Sequence, residues 1–225
     1  MTDDLITRNR ATRADMLARI RAGIDRDARP MPHPTTVPGL GPQLSALAGQ
    51  VAGSAVLTAR FVRLAQASSA TVDEVAERAA VPAAVARYLD AHGLPCRAAL
   101  WPALADLDWA SAGVTVEARA AQGEDAVGIT GVFCAIAETG TLLTLSGPDT
   151  AATTSLLPET HIAVVPVARV LATMEEAFAL IRAEQGRLPR ALNFISGPSR
   201  TGDIEQTIVL GAHGPYRVHV LLLQD

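Results

Sequence analysis

Apolar positions change their spacing several times along this chain, and the changes divide it. Residues 4–27 carry Leu5, Met16, Leu17, Ile20 and Ile24 at helical intervals with arginines opposite, which predicts an amphipathic helix within residues 1–29. The pattern stops at RPMPHPTTVPGLGP, where five prolines and two glycines in 14 residues permit no regular structure. Residues 30–43 therefore read as an extended linker. The helix before it is free to pack on the body, on a second copy or on a partner, and a homo-oligomer joined through it is one expectation.

A body of residues 44–225 follows, opening with a helical segment to about residue 67. In TVDEVAERAAVPAAVARYLDAHG, Thr71 and Glu74 have capping-box spacing, Pro82 suits a first helical turn and Gly93 a C-cap, which predicts two short helices. The pair resembles a helix-turn-helix, but its second helix offers only Arg87 to a phosphate, so DNA binding is rejected. LPCRAALW and GVTVEA are strand patterns, and CAIAETGTLLTLSG is a longer one broken at Thr139-Gly140. HIAVVPVARVL is apolar almost throughout, as in a strand covered on both faces. TMEEAFALIRAEQG is a helix with a Thr173/Glu176 capping box and Gly186 at its end. The strands RALNFI and YRVHVLLL flank a long polar loop. Apolar strands alternating with helices predict an α/β fold, an open and mainly parallel sheet with helices on both faces. Sites in such sheets lie beyond the carboxyl ends of the strands.

Composition removes several function classes. The net charge is −4 with no block of like charges, which argues against a broad nucleic-acid surface. No apolar run reaches membrane-spanning length and the polar start is not a targeting peptide, so a cytoplasmic protein without membrane insertion is expected. All 19 basic residues are arginine, which excludes a P-loop lysine and any lysine Schiff base. Cys96 and Cys134 stand far apart in apolar runs and read as buried thiols. No CxxC, HxH or HExxH occurs, so no metal site is expected in this chain.

Three clusters could carry chemistry. The loop Ser196-Gly197-Pro198-Ser199-Arg200-Thr201, with Asp203 opening a short helix, combines glycines, hydroxyls and one cationic fork suited to an anion. It could equally be an N-capping turn with Arg200 paired to Asp203 or Glu205. Glu138-Thr139-Gly140-Thr141 puts a carboxylate inside an apolar strand, where it is an acid–base candidate unless it simply faces solvent. Glu159 and His161, in LLPETHI, bind a ligand or merely solvate the corner before a buried strand. His213, between glycines in LGAHGP, sits at an exposed turn and is the second catalytic candidate.

Taken in order, GIT, AIAETGTLL, LLPETHIAVVP, FISGPSRTGDIE, LGAHGP and VHVLLL resemble the LUD-domain family, over roughly residues 44–225 and most specifically from 128 onward. The resemblance implies the fold of ribose-phosphate isomerases, glucosamine-phosphate deaminases and coenzyme A transferases. It also implies a place in a three-protein system that oxidises L-lactate to pyruvate, with the iron–sulfur clusters on partner proteins and no cofactor in this chain. Glycine-rich loops then read as binders of a small anionic ligand. An independent isomerase or transferase acting on a phosphorylated or acyl compound, or a scaffold with a vestigial pocket, are the alternatives.

Overall fold

The computed structural model describes residues 15–19, 21, 54–186, 188–201, 209–211 and 213–224. The chain divides into two compact units, Met1–Gly49 and Gln50–Asp225. In the first, residues 15–19 and 21 are helical, and Arg19 pairs with Asp15 one turn earlier at 3.2 Å. The expected linker over residues 30–43, and residues 44–53 of the expected second helix, lie outside the described residues.

The second unit opens with helix α1 (Ser54–Ala67), followed by strand β1 (Thr71–Val75) and helix α2 (Val81–Ala91). Strands β2 (Arg97–Leu100), β3 (Thr115–Ala118) and β4 (Val127–Thr130) come next. A hairpin of β5 (Cys134–Ile136) and β6 (Thr141–Leu145) leads to the one-turn helix α3 (Thr153–Leu156), then β7 (Thr160–Pro166) and β8 (Val170–Leu171). Helix α4 (Met174–Gln185), β9 (Leu192–Ile195), a short ribbon of β10 (Arg200–Thr201) and β11 (Val209–Leu210), and β12 (Arg217–Leu223) complete it.

Six strands form one sheet in the order β1-β12-β7-β4-β2-β3, with every pairing parallel. Alternation along β7 and β12 loads both of its faces. Ile162, Val164, Leu221 and Leu223 meet Val85 and Leu89 of α2 on one side. Ala163, Val165, Val220 and Leu222 meet Phe61 and Ala65 of α1 and Ala135 and Leu142 of a second sheet on the other. That second sheet, β8-β5-β6-β9, is mixed, and Ala177 and Ile181 of α4 cover its far face. Each buried Leu or Ile is worth roughly 1.5–3 kcal/mol against about 1 kcal/mol for a helix cap, so the layers hold this fold. Among the described residues no helix is long and apolar enough to cross a membrane.

The expected open parallel α/β sheet is therefore present, with two corrections. Thr71–Val75 is not the first turn of a helix but an edge strand, paired in parallel with β12 from Thr71↔His219 to Val75↔Leu223. Its Thr71 hydroxyl meets His219 Nδ1 at 2.8 Å instead of capping a helix. The run TVDEV is polar because one side of an edge strand stays in water. Val127–Thr130 is the second correction, a fully buried strand too short and glycine-interrupted to stand out as a pattern. By contrast, α4 follows its sequence signals: the Thr173 hydroxyl accepts from the Glu176 N–H at 3.3 Å, and Gly186 ends it at φ 65°.

Three glycines decide how closely the layers approach. A Cβ at Gly128 would lie 2.0 Å from the Thr154 carbonyl oxygen, and one at Gly140 would lie 2.4 Å from the Ala65 nitrogen. At Gly197 it would lie 2.0 Å from the Ser68 carbonyl oxygen, with φ already at +73°. Gly186, also at positive φ, has nothing within 4 Å. Gly197→Ala is expected to cost roughly 2–3 kcal/mol, because left-handed strain adds to a backbone clash. Gly186→Ala should cost only about 1 kcal/mol, from the backbone term alone. Urea unfolding of the two variants measures the difference.

Candidate functional site

Helix α1 ends in a Schellman turn: the Ala70 N–H donates to the Ala65 carbonyl and the Ser69 N–H to that of Gln66. Ser69 occupies the left-handed position at φ 68°, the only non-glycine described residue with positive φ. Glycine is usual there; the serine has a reason. Arg200 donates to the Ser68 carbonyl oxygen at 3.1 Å and to the Ser69 hydroxyl. A guanidinium at the carbonyl end of a helix is also placed favourably in the helix dipole. Gly140 and Gly197 press on this same turn. Three of the sequence-predicted site residues thus meet at a helix end.

The others divide. Glu138 Oε1 accepts the Met174 N–H at 2.8 Å, so its carboxylate caps α4. The Thr141 and Ser196 hydroxyls bond each other at 2.7 Å across β6 and the loop after β9, and Thr139 is exposed. Ser199 stitches two loops: its N–H donates to the Pro215 carbonyl and its carbonyl accepts from the Gly211 N–H, both at 2.9 Å. Arg200 and Thr201 form β10 and pair with β11. Asp203 and the helix expected to start there lie outside the described residues.

Glu159 and His213 come together. A cavity of about 760 Å³ opens at the amino ends of β7 and β12, lined by Leu156, Leu157, Glu159, His213, Tyr216 and Arg217 with Gly211 and Gly214. The two strands are adjacent and parallel, with Arg217 level with Thr160, so the residues just before each share one edge. The Arg217 N–H donates to the Glu159 carbonyl at 2.9 Å, and the Arg217 guanidinium lies 4.9 Å from the Tyr216 ring centre. Among the described residues Arg217 has no carboxylate partner. The two leucines are seated by Gly128, whose missing side chain lets Thr154 and Pro158 lie on the sheet.

This cavity is not at the strands' carboxyl ends, where such sheets commonly bind. A smaller cavity of about 460 Å³ does lie there, among Leu104, Val132, Val164, Pro166 and Leu223. Its one charged wall, Arg78, is already held by both Asp106 oxygens at 2.7 Å. None of the sequence-predicted site residues reaches it. Leu156, Leu157, Tyr216 and Arg217 escaped sequence reasoning because their meeting follows from strand order. The available signal was that Glu159 and Tyr216-Arg217 each stand directly before an apolar strand.

Two histidines are buried in the large sheet. His161, for which ligand binding and a solvated corner were the two expectations, is fully buried with Nε2 2.8 Å from the Thr130 hydroxyl. His219 stacks on Tyr88 at 3.9 Å and has Asp73 3.8 Å from Nε2. Burial pushes both imidazoles down from 6.5 to about 4. Cys134 is likewise buried, its thiol pushed up to about 12, whereas Cys96 is exposed, in the turn before β2. Among the described residues no three His, Cys, Asp or Glu side chains come together as a metal site.

The architecture, a six-stranded parallel sheet backed by a smaller mixed sheet with glycine-set loops at its amino edge, belongs to the open α/β proteins. Within that class the chain belongs to the LUD-domain family, whose description, LUD domain, matches residues 58–223. It is 38% identical over 130 residues to lactate utilization protein C of Bacillus subtilis (strain 168), covering 52% of this chain and 54% of that protein. To the protein of the same name from Shouchella clausii (strain KSM-K16) it is 41% identical over 101 residues, 44% of each chain. The chain thus spans about half the length of the curated relatives it matches. A solved structure, a DUF162 family protein from Deinococcus radiodurans, superposes with a TM-score of 0.58 at 25% identity, covering 76% of this chain and 98% of that one.

Two outcomes follow from this geometry. His161 and His219 are neutral when folded and protonate more readily when unfolded, so their contribution is fully present above about pH 6.5 and is lost as pH falls towards 4. Each is expected to contribute a slope of about 1.4 kcal/mol per pH unit between those limits, and urea unfolding near pH 6 and near pH 5 measures it. His219→Gln should remove about half of the slope. Arg200→Ala should lower stability by about 1 kcal/mol at constant pH, the scale of one hydrogen bond, and thermal melts report it.

Proposed function

We propose that this chain is the non-redox member of an L-lactate utilisation system. It holds an anionic small molecule at the cavity before β7 and β12, while partner proteins carry the iron–sulfur clusters. One observation carries the reading. Glu159 and His213, from separate motifs, meet at a single cavity beside Arg217, in a chain whose relatives are named lactate utilization protein C.

The chemistry agrees with a binding role. A guanidinium without a carboxylate partner among the described residues suits a carboxylate or phosphate. The exposed His213 can donate to the same group or to a neighbouring oxygen, and Glu159 can accept from a hydroxyl or amine. With Cys134 buried and Cys96 alone at the surface, this chain offers no thiolate set for a cluster, so electron transfer falls to the partners.

Deleting this chain from its native cell should abolish growth on L-lactate while leaving growth on pyruvate intact. Restoring the wild type should restore growth, and Glu159→Ala with His213→Ala should not, at equal protein level. The purified chain alone should reduce no dye with lactate, and tagged chain from native cells should bring down iron-containing partners. Normal growth of the deletion strain on lactate would overturn the reading.

A further inference from the structure

The site's size and walls say more about its ligand than the charges do. At about 760 Å³ the cavity is far larger than a three-carbon acid can fill and falls within the range of sites for cofactor-sized ligands. Its rim gathers three exposed large apolar side chains: Leu156 at 41%, Leu157 at 52% and Tyr216 at 45% of full exposure. Apolar surface gathered at a concave, charged site is normally covered by something apolar in the ligand. Lactate or phosphate would leave all three side chains in water.

The polar groups are set for different jobs. Arg217 provides a positive fork, held by its own contact with the Tyr216 ring. Glu159 is an acceptor, which disfavours a ligand that is anionic throughout and suits hydroxyl or amine donors. Tyr216 offers a ring edged by the bare backbone of Gly211, where a side chain would meet the Tyr216 Cβ at 3.2 Å and the ring at 3.4 Å. Apolar wall, acceptor and cation lie around one space.

Resting on the reading of this cavity as the chain's ligand site, we propose that its ligand is of the nucleotide class. A planar heteroaromatic ring packs against Tyr216 and the two leucines. Its hydroxyl or amine donors face Glu159, and an anionic phosphate or carboxylate meets Arg217 and His213. Lactate itself is not what this site is built to hold.

The test is calorimetric titration of the full chain with AMP, FMN, adenosine, inorganic phosphate and L-lactate. It is run on wild type, Tyr216→Leu and Arg217→Gln, with melting temperatures as a check on folding. AMP or FMN should bind, with adenosine, phosphate and lactate at least tenfold weaker. Tyr216→Leu should weaken the ring-bearing anion about tenfold without altering the response to phosphate. Arg217→Gln should weaken the anions by a similar factor and leave adenosine unchanged. If lactate or phosphate binds as tightly as AMP and FMN and loses affinity in Arg217→Gln, the cavity is an anion site but the nucleotide class is wrong. If none of the five binds, or binding ignores both substitutions in folded protein, the cavity is not the ligand site and both readings fall.

Discussion

Two backbones pass so close at the end of α1 that no side chain fits between them. Gly140, at the tip of the β5–β6 hairpin, and Gly197, in the loop after β9, both touch the turn from Leu64 to Ser68. Arg200 then closes that turn through the Ser68 carbonyl and the Ser69 hydroxyl. The position of the 196–199 loop is thereby fixed, and Ser199 passes it on through its bonds to Gly211 and Pro215. That second loop is one wall of the cavity. The opposite wall depends on the same device, since Leu156, Leu157 and Glu159 are where they are because Gly128 lets Thr154 and Pro158 settle on the sheet. The site is thus built by contacts that only glycine permits, some distance from where a ligand would sit.

That construction explains what the amino-acid sequence could and could not disclose. The capping residues of α4, the glycine break between β5 and β6 and the apolar run of β7 were all legible, because each is set by neighbours in sequence. Gly140, Gly197 and Arg200 were conspicuous too, but their chemistry was ambiguous. A glycine that admits a ligand and one that admits a helix end look the same until the partner is in place. TVDEV misled for a related reason. Its polarity and its spacing of Thr71 and Glu74 suit a helix start, and only the ladder to β12 makes it a strand. Leu156, Leu157, Tyr216 and Arg217 carry no local mark at all, and meet because β7 and β12 are parallel neighbours.

The polar residues inside the large sheet follow the same logic of neighbours. His161 and Thr130 satisfy one another across two adjacent strands, and His219 and Thr71 do so across another pair. In each case one ring nitrogen is left without a partner among the described atoms. Such pairs penalise a strand slipped by one residue, because slippage would separate both groups and turn a histidine to the wrong face. They therefore help to specify register in strands whose other residues are nearly all aliphatic.

The pairing of β1 with β12 also governs how the molecule is made. Thr71 and His219 are 148 positions apart, and β1 has no other strand beside it. A ribosome releases the amino-terminal partner long before the carboxyl-terminal one exists. During that interval Asp73 and Glu74 on β1 disfavour pairing of its edge with another chain. Because β12 lies between β1 and β7, the sheet is completed by insertion of the last strand rather than by addition at its margin. Removing Arg217–Leu223 would thus take away not only β12 but also the strand to which β1 is attached.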